Sequence, residues 1–371
     1  MVTGLATAFS ALDDGPEEYY FLVTSDARGW IRSKMTGPCR LLESSVAREA
    51  PLESTIPQSD GTIERAGIDL MHFTVPTAFL TGVASVFQPH DLLHLHMPEL
   101  MATQQFADRT TAFPRFCADA RMVVALSEWG KHDIMQAYGL PEARVQVVPN
   151  AAGIDARHQP GESELAETKR RLALPDAFVF LPAATWEHKN HVALLEALAL
   201  LRDRDNLVVP LVCSGLQTGY FPAIDARVSA LGLRNDVRFV GSVRATDVRC
   251  LYALSRAVIF PSVFEGFGIP VVEAFAAGVP VACSNVTSLP ALAGDAALLF
   301  DPRRVDEIAA AVARLWTDAQ LRESLAARGR VRASAFTWDG SARLLRAHYR
   351  RLMSRALTEE DRALLAAPPA L

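Results

Sequence analysis

The sequence predicts an α/β protein built from two parallel-sheet domains, and three observations carry that expectation. At 371 residues the chain exceeds what one hydrophobic core usually organises. From about residue 177 onward, short apolar runs alternate with helical patterns at a spacing that calls for parallel strands joined by crossover helices. Finally, Pro261 to Pro280 reads as the end of a strand, a tight glycine turn, a helix closed by Gly278 and the start of the next strand.

Composition narrows the class. Half of the residues are hydrophobic and 21% are charged, which suits a large packed core. The net charge of -5 argues against a nucleic-acid partner. The five cysteines, Cys39, Cys117, Cys213, Cys250 and Cys283, are scattered and lie mostly in apolar runs, so reduced, buried thiols are expected rather than disulfides or metal ligands. No run of about eighteen apolar residues is present to span a membrane. The first ten residues lack the basic start and apolar core of a signal peptide, so a cytoplasmic protein is expected.

Taken in order, Thr3-Gly4-Leu5-Ala6-Thr7-Ala8-Phe9 reads as the end of a glycine turn entering a helix, with no strand before it. A strand follows at Tyr19 to Val23. Residues 25 to 62 are rich in Pro, Ser and Arg and read as loops, with a short strand around Cys39 to Leu42. Strands are expected at 68–73, 82–87, 122–126 and 145–148. Ser127 suits an N-cap for a helix running through Tyr138, which Gly139 closes. Pro149 to Gly153 is a turn cluster, and residues 154 to 163 read as a linker. Beyond it, strands are expected at 177–182, 207–213, 236–240, 256–260, 279–283 and 297–300. Helices fall between them at about 190–203, 222–231, 246–255, 268–277 and 288–293. Helices at about 304–316, 319–334 and 339–357 follow, and the Ala/Pro tail from Ala366 is expected to fray. The domain boundaries read as 1–160, 161–336 and a C-terminal helical segment, 337–371.

The glycine turn is the chemical centre. Glu265 lies in the turn and Glu273 about one and a half turns into the helix. Backbone N–H groups at a helix start are unpaired and carry partial positive charge, so they suit an anion. Two acids around such a site fit a ligand with an anion in its middle and hydroxyls at its ends, as in a nucleotide sugar. Ligands of parallel sheets lie at the carboxyl ends of strands, and two such domains in tandem leave a cleft for a donor and an acceptor.

These residues resemble the retaining glycosyltransferases of family 4, which have the GT-B fold of two Rossmann-like domains facing across a cleft. Glu265 and Glu273, with Gly266-Phe267-Gly268-Ile269-Pro270 between them, are similar to that family's E-x7-E signature. Phe239 to Val243, Ser288-Leu289-Pro290 and Gly294 to Ala297 fall in the family's order around it. Trp186 to His191 resembles the HKN segment of a mannosyltransferase-like subgroup. Gln88 to Leu92, Ser127-Glu128-Trp129 and Val148-Pro149-Asn150 resemble landmarks of the N-terminal domain.

The resemblance implies a division of labour. Glu273 would bind the ribose hydroxyls and Glu265 would lie near the donor sugar. Gly266, Phe267, Gly268 and Ile269 would approach sugar and phosphate, and Lys189, with Asn190 beside it, would neutralise the departing diphosphate. Ser242 and Val243 would border the base. His90 would stand at the reacting centre. A hexose, mannose from GDP-mannose by subgroup flavour, would pass with retention to a hydroxyl of a glycan or lipid-linked acceptor. Attack would come from the front face, with no enzyme nucleophile, no metal and no cofactor beyond the donor itself. The C-terminal segment would pack back across the domains.

The chain departs from the family pattern in three places. No arginine lies within Ala183 to His188, where the family usually carries one for the diphosphate. Ala291 stands where an acid is usual. The family's opening strand and most of its first glycine loop have no counterpart ahead of Gly4, which leaves two readings open, a start upstream of Met1 or an incomplete N-terminal domain. The rivals are the same enzyme class with a UDP- or dTDP-sugar, and a non-catalytic nucleotide-sugar binder. An NAD-dependent oxidoreductase fails for want of a G-x-G-x-x-G after a first strand.

Several features have plainer readings. His90 precedes Asp91 and suits a turn as well as a ligand contact. His94 and His96, with Asp91 near, are spaced like metal ligands, but no cysteine or HExxH pattern accompanies them, so no metal site is expected. Asp203-Arg204-Asp205 reads as a solvated helix end. Arg343, Arg346, Arg350, Arg351 and Arg355 form a basic amphipathic stripe, open either to peripheral contact with anionic lipid or to packing within the protein, and packing is the expectation.

Overall fold

The computed structural model describes residues 2–24, 28–35, 37, 39–44, 56–153 and 159–368. Half of the linker expected at 154–163, much of the loop region expected at 25–62 and the end of the tail lie outside the described residues. The chain divides into two compact units, 1–151 with 337–371, and 152–336.

The first unit runs α1 (Val2–Ser10), β1 (Tyr20–Val23), α2 (Arg28–Arg32), β2 (Arg40–Glu43), α3 (Thr62–Arg65), β3 (Leu70–Phe73), β4 (Ala84–Phe87), α4 (Leu93–His96), α5 (Thr103–Asp119), β5 (Met122–Ala125), α6 (Glu128–Tyr138) and β6 (Val145–Val147). β3-β4-β5-β6 form one parallel sheet and β1-β2 a separate parallel pair. Side chains alternate across the larger sheet, as a strand's period of two requires. Phe73, Phe87, Val123 and Ala125 pack with Phe113, Phe116 and Cys117 of α5 on one face. Val86, Met122 and Val124 pack with Leu5, Ala8 and Phe9 of α1 on the other. Ser127 caps α6, its hydroxyl accepting from the Gly130 N–H, and Gly139 closes it at φ 62°, as the sequence predicts.

Among the described residues β1 has β2 as its only paired neighbour and β3 has only β4. Both strands, with α1, line one cavity of about 1590 Å³. No strand precedes α1 among the described residues.

The second unit runs α7 (Glu162–Arg171), β7 (Val179–Pro182), α8 (His191–Asp205), β8 (Leu211–Ser214), α9 (Phe221–Ala230), β9 (Val237–Gly241), α10 (Ala245–Leu254), β10 (Ala257–Phe260), α11 (Ile269–Ala276), β11 (Val281–Ser284), α12 (Leu289–Ala293), β12 (Ala297–Phe300), α13 (Val305–Thr317) and α14 (Ala319–Ala333). Its six strands are all parallel in the order β12-β11-β10-β7-β8-β9. The central strands are buried on both faces, which explains their unbroken apolar runs. Chain order reverses direction between β7 and β10, which makes the gap beyond their carboxyl ends the topological switch point of the sheet.

The chain closes with α15 (Trp338–Leu352) and α16 (Glu359–Ala366), which belong to the first unit. The structure corrects the sequence reading here. The helix expected to reach 357 stops at Leu352, because Ser354 turns left-handed at φ 53°. A new helix then starts at Glu359, ahead of the tail expected to fray from Ala366, because Thr358 and Asp361 form a capping box. The arginine stripe is committed within the unit. Arg346 and Arg350 are buried on Asp14, Glu17, Glu360 and Asp361, and Arg343 also reaches Asp14. α5 and α7 have no counterpart in the sequence reading, since α5 is largely polar and carries Pro114 inside it. No helix among the described residues is long and apolar enough to cross a membrane. Cys117, Cys213, Cys250 and Cys283 are free and buried, as expected, and burial pushes the Cys117 and Cys283 thiols up to about 12.

Candidate functional site

The second unit gathers most of the candidate residues at the carboxyl end of its sheet. Lys189 follows β7, Ser242 and Val243 follow β9, and Glu265 to Gly268 follow β10. At the switch point the loops after β7 and β10 meet. The Lys189 Nζ lies 2.5 Å from Glu265 Oε1, with both side chains largely covered. It also lies 5.6 Å from the centre of the Phe260 ring, a second favourable contact for a cation. Asn190, in the left-handed region at φ 59°, donates from its side-chain amide to the carbonyls of Pro261 and Pro302. Those bonds tie the lysine loop to β10 and β12, which makes Asn190 a clamp on the loop.

The glycine turn is stapled from below. The Ser288 hydroxyl is within 3.0 Å of the carbonyls of both Glu265 and Phe267, and the Thr287 hydroxyl accepts from the Glu265 N–H at 3.1 Å. Gly268 has φ 108°, and a Cβ there would stand 2.6 Å from Leu289 and 2.9 Å from Leu292, so only glycine fits. The Phe267 ring points away from the turn into the core and meets Phe336 edge-on, leaving its backbone at the turn. α11 then begins at Ile269 with no side-chain cap; Pro270 has no N–H and the Val271 N–H donates to the Gly268 carbonyl, so the Ile269 N–H is the helix-start donor left without a side-chain cap. Ile269 is half-buried beside the turn.

Glu273 stands in the second turn of α11 and is held at both oxygens. Tyr252 donates its hydroxyl to Oε2 at 2.8 Å, and the Gly153 N–H donates to Oε1 at 3.1 Å. Burial and the neighbouring Glu273 carboxylate push the Tyr252 phenol well above its usual range. Ser242 is exposed and Val243 half-buried just past Gly241, which turns the chain at φ 68°.

His90 belongs to the first unit, three residues past β4, in the left-handed region at φ 68°. Its Nε2 lies 2.9 Å from the Thr74 carbonyl oxygen, a contact that needs the proton on Nε2 and leaves Nδ1 as the acceptor. Burial lowers its pKa, so the ring is neutral at pH 7. Asp91 pairs with Arg109 at 3.0 Å, His96 with Asp133 at 2.7 Å, and His94 lies 3.4 Å from the Tyr138 hydroxyl. Among the described residues no three His, Cys, Asp or Glu side chains gather where a metal ion could be held.

Sequence reasoning missed three positioning groups. Tyr252 reads as one more core aromatic, Thr287 carries no motif, and Gly153 reads as a turn residue. Ser288 stands out in the sequence only as the start of the Ser288-Leu289-Pro290 landmark.

The sequence matches two family descriptions, Glycosyltransferase Family 4 over residues 49–156 and Glycosyl transferases group 1 over 165–332. An O-antigen chain mannosyltransferase B of Escherichia coli is 32% identical over 253 residues, which cover 67% of this chain and 66% of that protein's length. Among solved structures, a glycosyltransferase from Rickettsia africae superposes with a TM-score of 0.74 at 15% identity, covering 95% of each chain. Anabaena HepE in complex with UDP and glucose gives 0.72 at 19% identity, covering 94% of this chain and 95% of that one. With two Rossmann-like parallel-sheet domains, the glycine turn at the switch point and both family descriptions along its length, the chain belongs to the family 4 type of GT-B glycosyltransferases, close to its mannosyltransferases.

Proposed function

We propose that the protein transfers mannose, with retention and without a metal ion, from GDP-mannose to a hydroxyl of a glycan or lipid-linked acceptor. The observation that carries this reading is the meeting of Lys189 and Glu265 at the switch point, beside the uncapped start of α11 and with Glu273 farther along the same helix. The diphosphate lies over the glycine turn, where the Ile269 N–H at the helix start and the lysine cation favour negative charge. Glu273 takes the ribose hydroxyls, and Glu265 takes a sugar hydroxyl while orienting Lys189. Ser242 and Val243 border the base, past the end of β9.

As the bond from the anomeric carbon to the phosphate oxygen breaks, charge grows on the diphosphate, and Lys189 stabilises it where it forms. The acceptor oxygen bonds to the anomeric carbon from the same face, and its proton passes to the departing phosphate oxygen. A neutral His90 serves as a hydrogen-bonding group for sugar or acceptor. The absent arginine leaves more of the charge to Lys189 and the helix start. The reaction takes place in the cytoplasm, at the inner face of the membrane when the acceptor is lipid-borne. Arg346 and Arg350 of α15 are buried on carboxylates and so are not available for lipid contact.

A thermal-shift panel of GDP-, UDP-, dTDP- and ADP-sugars tests the donor. GDP-mannose should raise the melting temperature most, and a panel without any shift overturns the donor site. Slow donor hydrolysis that disappears in Glu265→Gln and Lys189→Ala separates an enzyme from a binder. The anomeric configuration of the product, read by NMR, tests retention.

A further inference from the structure

We infer that Tyr252 and Gly153 fix the carboxylate of Glu273 as a reader of two adjacent hydroxyls, so that the protein accepts ribonucleoside diphosphate sugars and rejects their 2′-deoxy counterparts. The inference rests on the donor reading above and narrows it to a class of nucleotide.

The geometry is a two-point clamp. Tyr252 is fully buried, packed edge-on against Phe180 with ring centres 5.2 Å apart. Its hydroxyl lies 2.8 Å from Glu273 Oε2 and 3.3 Å from the Pro270 carbonyl oxygen. Gly153 holds the other oxygen from a separate segment of the chain, its N–H 3.1 Å from Oε1. A Cβ at Gly153 would stand 2.7 Å from that oxygen and 4.0 Å from Ile269, so any larger residue pushes on the carboxylate. One donor on each oxygen, from two different elements, fixes the plane of the group as well as its position. A carboxylate on a surface helix is otherwise free to rotate about its side-chain torsions.

An acceptor pair of fixed orientation discriminates where a mobile one adapts. A ribose offers two neighbouring hydroxyls to it. A 2′-deoxyribose offers one, and the second acceptor site then faces a carbon. A preorganised polar group facing a missing partner is the arrangement that rejects an analogue lacking one hydroxyl. Tyr252 and Gly153 are therefore positioning residues that act through Glu273. The raised pKa of Tyr252 is consistent with this, since the phenol stays protonated and donating across the working range.

The test is calorimetric titration of wild type, Tyr252→Phe, Gly153→Ala and Glu273→Gln with GDP and 2′-deoxy-GDP, and with UDP and 2′-deoxy-UDP as a second pair. Wild type should prefer the ribonucleotide by about tenfold to a hundredfold, the size expected for one hydrogen bond to a charged group. Tyr252→Phe should reduce that preference about tenfold by weakening the ribonucleotide, with the deoxynucleotide little changed. A simple loss of structure weakens both alike. Gly153→Ala should act in the same direction and removes no buried hydroxyl, so it carries the test if Tyr252→Phe does not fold. The clamp is overturned if both variants keep the wild-type preference, or weaken the two nucleotides equally. If Glu273→Gln abolishes the preference while they keep it, the clamp alone fails and the donor site stands. If wild type binds none of the four nucleotides, the donor reading itself fails.

Discussion

Lys189 and Glu265 stand 2.5 Å apart although 76 residues separate them, because the loops after β7 and β10 converge at the switch point of one parallel sheet. Each is the other's charge partner and each carries part of the proposed chemistry. Lys189→Ala should lower turnover by roughly 10²–10³-fold, the cost of removing one donor from a developing oxyanion. Glu265→Gln should also lower turnover, while Glu265→Ala should lower the melting temperature as well by leaving Lys189 unpaired. Steady-state kinetics and thermal unfolding of the three variants separate these effects.

Gly268→Ala should be destabilising and should weaken donor binding together. The left-handed backbone at φ 108° costs a side-chain-bearing residue about 1–3 kcal/mol, and overlap with Leu289 and Leu292 adds a packing cost of similar size. Urea unfolding measures the first effect and nucleotide titration the second. A variant of wild-type stability would mean that α12 yields without cost.

Arg350→Met should destabilise the first unit more than any other single change to the arginine stripe. Arg350 reaches Glu17 at 2.6 Å and Asp361 at 2.7 Å, and the Asp361 side chain is 1% exposed. Removing the cation leaves a buried carboxylate unpaired, at a cost of about 3–5 kcal/mol. Denaturant unfolding of the whole chain, followed by signals from the first unit, should show the loss. Arg355→Met, at an exposed pair with Asp69, should change stability by less than about 1 kcal/mol.

The same cluster sets an acid limit. The Arg346 guanidinium holds Asp14 far below the ordinary value of 3.8. Burial pushes Glu17 and Asp361 up, but the bonds and charge of Arg350 together with local hydrogen bonds, including those from Thr358 to Asp361, outweigh it and both end lowered. Groups whose folded pKa is depressed contribute stability in full above their unfolded values, here 3.8 to 4.5, and lose it as pH falls through the folded values. The unfolding midpoint of the first unit should therefore fall as pH drops from about 5 toward 3. Arg350→Met should flatten that fall, and unfolding curves across the range measure both.

The parallel sheet of the second unit was legible because its strands are buried on both faces and read as unbroken apolar runs. The turn from Glu265 to Gly268 was legible because two glycines one residue apart, followed by Pro270 and an apolar helical pattern, mark a tight turn entering a helix. Side-chain commitments were not. Asn190 reads as a ligand contact in sequence and acts as a clamp on two carbonyls. Tyr252 reads as core and orients a carboxylate. The arginine stripe had two readings because its partners, Asp14 and Glu17, lie at the opposite end of the chain. α5 escaped because its buried residues, Phe113, Phe116 and Cys117, occupy one short stretch of a polar helix.

The unpaired edges of β1 and β3 have a consequence for how the first unit opens. Among the described residues its two sheets share no ladder of hydrogen bonds, and the β1-β2 pair meets the rest of the unit through side-chain contacts. A part held that way can open without disturbing the sheet beside it. Amide hydrogen exchange should find β1 and β2 exchanging through a local opening of low free energy. β7 and β10, flanked by paired strands on both sides, should exchange only when the whole second unit unfolds.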